Sequence, residues 1–110
     1  MFIRFSCDVF PMTIEEARAE ITRIDEEIIH LIAQRQQLAG TIAAIKQKES
    51  IPVHDNQRKS DVLAYVMRLA QANHIEPEPV KAVFETLIAM NEKEQRAAIE
   101  KSAPQRKSVR

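Results

Sequence analysis

From Ile14 to Lys48 the chain runs without a proline, and its apolar residues recur at alternating steps of three and four. The series is Ile14, Ala17, Ile21, Ile24, Ile28 and Leu31, then Leu38, Ile42 and Ile45. That alternation is the seam of a coiled-coil-like helix. At about 1.5 Å per residue such a helix would be roughly 50 Å long. It is too long to fold back inside a compact chain of 110 residues, so its seam wants a partner.

The start and stop signals agree with that helix. Thr13 and Glu16 stand three apart as a capping box, in which the hydroxyl takes the Glu16 amide hydrogen and the carboxylate reaches back to the Thr13 amide. Pro52 breaks the helix beyond about Lys48. Asp55 then caps a second helix over about Asn56–Ala72, with Val62, Val66 and Leu69 on one face. A third helix is expected over about Glu78–Lys101, with Pro79 in its first turn. Its inward face reads Val80, Val83, Phe84, Leu87 and Ile88. The expected fold class is all-α, three helices per chain with one very long first helix. Gly40, inside that helix at a cost of about 1 kcal/mol against Ala, is expected to mark a close helix approach.

Composition narrows the chemistry. A single glycine excludes the glycine-rich loops that cradle phosphates. A single cysteine, Cys7, excludes an intrachain disulfide framework and a thiolate-rich zinc site, and no His or basic residue is patterned around it. Sixteen Lys and Arg balance sixteen Asp and Glu, which gives no global reason to expect nucleic acid or an anionic membrane as partner. The apolar start MFIRFSCDVFP is interrupted by Arg4 and Asp8 and lacks a small-residue cleavage site. It is too short and too charged for a signal peptide or a spanning helix. Residues 1–12 are therefore expected to be a short extension, with Met1 or Met12 as the natural start, and residues 102–110 a flexible basic tail on a helical domain over 13–101. A cytoplasmic location is expected.

Polar residues then stand where apolar ones belong. The alternation from Leu31 puts Arg35 on the seam, and a buried guanidinium must meet an anion, from a Glu of the protein or from a ligand. Lys46 lies three turns further along nearly the same face. On the third helix, Phe84, Leu87 and Ile88 lead by helical steps to Asn91 and Gln95. Either the helix runs out into solvent there, or two amides line a cavity. Arg18 lies about 25 Å from Arg35 and about 42 Å from Lys46 by helical rise, so one small ligand cannot touch Arg18 and Lys46 of the same chain. Two long helices packed antiparallel would bring them together from different chains.

The run Arg18…Ile24-Asp25…Leu31-Ile32-Ala33-Gln34-Arg35…Lys46…Ile51-Pro52-Val53-His54-Asp55…Arg58, continued by Asn91 and Gln95, resembles the all-α AroQ-class chorismate mutases. The likeness covers about Thr13–Ala98 in register. It implies an intertwined homodimer and the [3,3] rearrangement of chorismate to prephenate in aromatic amino-acid biosynthesis, with no cofactor and no metal. By this resemblance Arg35, and Arg18 from the other subunit, hold the two substrate carboxylates. Lys46 contacts a carboxylate and the ether oxygen, and Gln95 donates to that same oxygen. Asp55 accepts from the ring hydroxyl, Arg58 supports the charge network, and Asn91 fills a polar position often occupied by Ser.

That inventory suits a pericyclic reaction, which needs a flexible dianion locked in its reactive conformer and donors aimed at the oxygen that gains charge. One departure concerns Lys59, which stands where well-known members carry Glu. Asp55 alone holds the hydroxyl, or Lys59 donates to it, or Lys59 turns to solvent. Two other readings stand beside the mutase: an isochorismate pyruvate lyase of the same fold, and a non-catalytic helical dimerisation module. His30, His54 and His74 are expected on the surface or in loops, with His54 at the pocket rim beside Asp55.

Overall fold

The structure is a computed structural model that describes residues 11–102. The extension up to residue 10, with Cys7, and the tail from residue 103 lie outside the described residues. The order is α1 (Ile14–Glu49), α2 (Asn56–Ala72) and α3 (Pro77–Lys101), with no strand among the described residues. None of these helices is long and apolar enough to cross a membrane.

Each start is written locally. At α1 the Thr13 Oγ1 accepts from the Glu16 amide at 3.0 Å, and Glu16 Oε1 accepts from the Thr13 amide at 3.0 Å, so the capping box closes both ways. At α2 the Asp55 Oδ1 accepts from the Arg58 amide at 3.0 Å. Helix α3 starts at Pro77 with no side-chain cap. A proline suits the first helical position because its missing N–H would be unpaired there in any case.

Two of the ends use an unexpected residue. Ser50 and His74 both lie at φ 60°, the left-handed conformation that favours glycine. Each follows a helix and closes it by a pair of backbone bonds. The Ile51 amide donates to the Lys46 carbonyl at 2.8 Å and the Ser50 amide to Gln47 at 3.4 Å. After α2 the Ile75 amide donates to the Ala70 carbonyl at 2.8 Å and the His74 amide to Gln71 at 3.0 Å. Both are Schellman motifs. The chain's one glycine is elsewhere, within α1, and a Cβ added at Gly40 would meet nothing within 4 Å. The expected close approach at Gly40 is therefore absent from the described structure.

The chain divides into two units, Met1–Ile32 and Ala33–Arg110. In the first, the described residues belong to α1 and its cap. Ile14, Ile21, Ile24, Ile28, Ile29 and Leu31 are each more than two-fifths exposed, so the described residues leave this apolar stretch uncovered. The second unit contains the rest of α1 with α2 and α3. Its buried apolar residues are Ala39 and Ala43 of α1 and Val66 and Ala70 of α2, and the buried residue of α3 is Gln95. Among the described residues no large side chain is fully buried. Leu69 and Val83, expected to face inward, are 47% and 55% exposed. Their helical faces are right for packing, but the described residues leave them uncovered.

Candidate active site

A cavity of about 300 Å³ opens within the second unit, at the small end of the range for small-molecule sites. Arg35, Leu38, Ile42 and Lys46 reach it from α1, and Val53 and Asp55 from the connection to α2. Helix α2 adds Arg58, Lys59 and Val62, and α3 adds Ile88, Asn91, Glu92 and Gln95. Of the residues singled out from the sequence, Arg35, Lys46, Asp55, Arg58, Lys59, Asn91 and Gln95 are thus brought together. Arg18 is not among the lining residues and is exposed on α1. Four cations face the cavity with two carboxylates, a balance that suits an anionic ligand.

The helical steps explain who reaches the cavity. Leu38, Ile42 and Lys46 follow one another at four-residue spacing on α1, three after Arg35, so one stripe carries a guanidinium, two aliphatic walls and an ammonium. Arg35 is half-buried, and its Nη1 donates to the Leu87 carbonyl of α3 at 3.4 Å. Its guanidinium carbon lies 6.0 Å from the Phe84 ring centroid, within cation–π reach. Among the described residues no carboxylate forms an ion pair with it, which removes the internal salt bridge as the explanation for an arginine on the seam. Lys46 Nζ donates to the Val53 carbonyl at 2.8 Å, tying the connection back to α1 while two of its three hydrogens remain for a ligand.

On α3 the amides do not run out into solvent. Gln95 is 4% exposed, and its Nε2 donates to Asn91 Oδ1 at 2.6 Å. Asn91 Nδ2 in turn donates to the Arg35 carbonyl of α1 at 3.0 Å. Gln95 Oε1 is buried and has no hydrogen-bond partner among the described residues. Lys59 is half-buried and lines the cavity, so it does not turn wholly to solvent. Asp55 Oδ1 is committed to capping α2, which leaves its other oxygen for a donor.

Glu92 is the residue that sequence reasoning missed. It sits between Asn91 and Lys93 and reads as one more solvated charge, yet it is four residues after Ile88 and three before Gln95. Completing that three–four pattern would have placed it on the cavity face. Its Oε2 lies 3.1 Å from His54 Nδ1, and His54 Nε2 lies 2.7 Å from Asn56 Oδ1. His54 is not among the residues that line the cavity, and its side chain is 46% exposed.

The family described as chorismate mutase type II matches residues 17–96. A chorismate mutase of Methanocaldococcus jannaschii is 30% identical over 87 residues, 79% of this chain and 88% of that protein. A bifunctional chorismate mutase/prephenate dehydratase of Aquifex aeolicus is 41% identical over 56 residues, 51% of this chain but only 16% of that protein. A secreted chorismate mutase of Mycobacterium tuberculosis is 33% identical over 76 residues, 69% of this chain and 38% of that protein.

Proposed function

The chain belongs to the type II chorismate mutase family, and from that premise we propose that it converts chorismate to prephenate by a [3,3] rearrangement within a homodimer. The observation that carries the reading is the cavity itself, where Arg35, Lys46, Arg58 and Lys59 surround a buried glutamine amide.

The reaction breaks a C–O bond as a C–C bond forms, within one molecule, and negative charge gathers on the ether oxygen. The residues of this chain would act by holding and by donating. Arg35 presents a planar fork that matches a carboxylate, and Arg18 of the second copy takes the other carboxylate. Lys46 and Gln95 donate to the ether oxygen, where a preorganised donor is worth most. Asp55 accepts from the ring hydroxyl, Arg58 and Lys59 balance charge, and Leu38, Ile42, Val62 and Ile88 hold the ring in the compact conformer the reaction needs. Asn91 sits beside Gln95.

Two features support the assembly. Among the described residues the apolar face of residues 14–31 is uncovered and the cavity draws no residue from that stretch, and a two-fold pair of long helices would resolve both. The functional domain is taken as 13–101. A cytoplasmic location is part of the proposal, supported by a cysteine count that leaves nothing to pair within the chain.

The test is chorismate consumption by the purified protein, followed by ultraviolet loss with chromatographic identification of the product. Prephenate is expected. Unchanged chorismate with pyruvate released from isochorismate would replace the mutase by a lyase. No turnover of either by a folded dimer would leave an interaction module.

A further inference from the structure

The geometry points to Asn91 as a positioning residue that fixes which way the Gln95 amide faces. The inference rests on the function proposed above, and adds a role for Asn91 that the chemistry of that reaction does not by itself require.

The argument is one of donors and acceptors. A side-chain amide has an oxygen end that only accepts and a nitrogen end that only donates, and the two are nearly equal in shape. Nothing about packing alone would tell the Gln95 amide which end to turn toward the ligand. A backbone carbonyl, however, can only accept. The atom of Asn91 that lies 3.0 Å from the Arg35 carbonyl must therefore be Nδ2. Once that nitrogen is placed, the other end of the Asn91 amide is Oδ1, and it lies 2.6 Å from Gln95. Oxygen facing oxygen at that distance is repulsive, so the atom of Gln95 that faces it must be Nε2. The orientation passes in two steps from an α1 carbonyl to the Gln95 side chain.

The anchor is firm at its origin. The Arg35 carbonyl belongs to the interior of α1, where the helix holds it, and a carbonyl oxygen has two lone pairs, so it accepts from Asn91 beside its helical bond. The Arg35 side chain meanwhile donates to the Leu87 carbonyl, one turn before Asn91 on α3. The two helices thus exchange side-chain-to-backbone bonds in both directions at the level of the amides. Gln95, at 4% exposure, has little room to reorient once held.

The consequence falls on the second hydrogen of Gln95 Nε2. One hydrogen is spent on Asn91, and the other remains to be donated to a ligand oxygen. In the opposite orientation Oε1 would point where negative charge develops, and the donor would become a repulsive dipole. The unpartnered Oε1 is the counterpart of this arrangement. The described residues leave an acceptor unsatisfied and keep the nitrogen directed.

The decisive experiment combines kinetics with side-chain amide NMR. Asn91→Leu keeps the size and removes both hydrogen bonds. Its kcat on chorismate should fall about tenfold, less than the roughly 10²–10³ lost when such a donor is removed outright, while KM stays within about twofold. In a Gln95→Ala background the same substitution should leave kcat within about twofold of the single variant. An equal loss in both backgrounds, or a loss carried by KM, would overturn the positioning role. Asn91→Ala serves in the same design if the leucine variant does not fold. The NMR arm needs no turnover: in the unliganded protein one Gln95 side-chain amide hydrogen should exchange slowly with solvent, and Asn91→Leu should abolish that protection. Free exchange in the unsubstituted protein would overturn the inference even if prephenate forms. Slow exchange in a protein that leaves chorismate untouched would instead overturn the proposed reaction and keep the relay.

Discussion

Gln95 donates at every ordinary pH because a neutral amide has no titration there, and this gives the proposed chemistry a pH signature. In Gln95→Glu the carboxyl could donate only in its protonated form. Activity of that variant should be highest in acid and fall as pH rises, whereas the unsubstituted protein should show no such loss over the same range; equal activity of the variant at acid and alkaline pH would remove Gln95 from the ether oxygen. Glu92 makes a second residue-scale prediction. It is one of two carboxylates among four cations in the cavity proposed for a dianion, so Glu92→Gln should lower KM about two- to fivefold, as expected for a solvent-screened charge interaction of about 0.4–1 kcal/mol. A rise in KM would show instead that Glu92 accepts from the substrate. The sequence exposes most of this site because an arginine on a seam and two amides on an apolar stripe are anomalies that periodicity reveals. Glu92 is no anomaly on a helix dense in charge, and the facing of an amide has no sequence signal at all, since it depends on a carbonyl 56 residues away.

At the scale of elements, the caps were written most plainly. The Thr13–Glu16 pair and Asp55 each act within three residues, and local chemistry of that kind survives whatever the rest of the chain does. Burial was read less well. Val83 and Leu69 have the right helical phase but remain exposed, because phase says which face is apolar and not what covers it. Glycine was read least well: it occupies an open position in α1, while the two left-handed positions carry Ser50 and His74. This mismatch yields a paired prediction. His74→Gly relieves a left-handed residue and Gly40→Ala removes helix-interior freedom, and each should raise thermal stability by up to about 1 kcal/mol. Calorimetry on both variants checks it. A lower melting temperature for Gly40→Ala alone would place a second helix against that face of α1.

The whole molecule makes its prediction through the two arginines. If each site combines Arg35 of one copy with Arg18 of the other, Arg18→Ala and Arg35→Ala are each inactive alone. Mixed and reassociated in equal amounts, they should recover about a quarter of the unsubstituted specific activity, since half the dimers are hybrids and one of the two sites in each hybrid is intact. No recovery after demonstrated subunit exchange would mean that both arginines serve the same copy or that Arg18 serves none. The interior carries the remaining consequence. Among the described residues the buried ones are three alanines, a valine and a glutamine, which have little with which to hold one copy together alone. In the proposed homodimer its stability is then a property of concentration. Diluting the protein should lower its melting temperature, and below the dissociation midpoint specific activity should fall with each further dilution. The amount of enzyme a cell makes would set not only how fast the reaction runs but whether each copy is an enzyme at all.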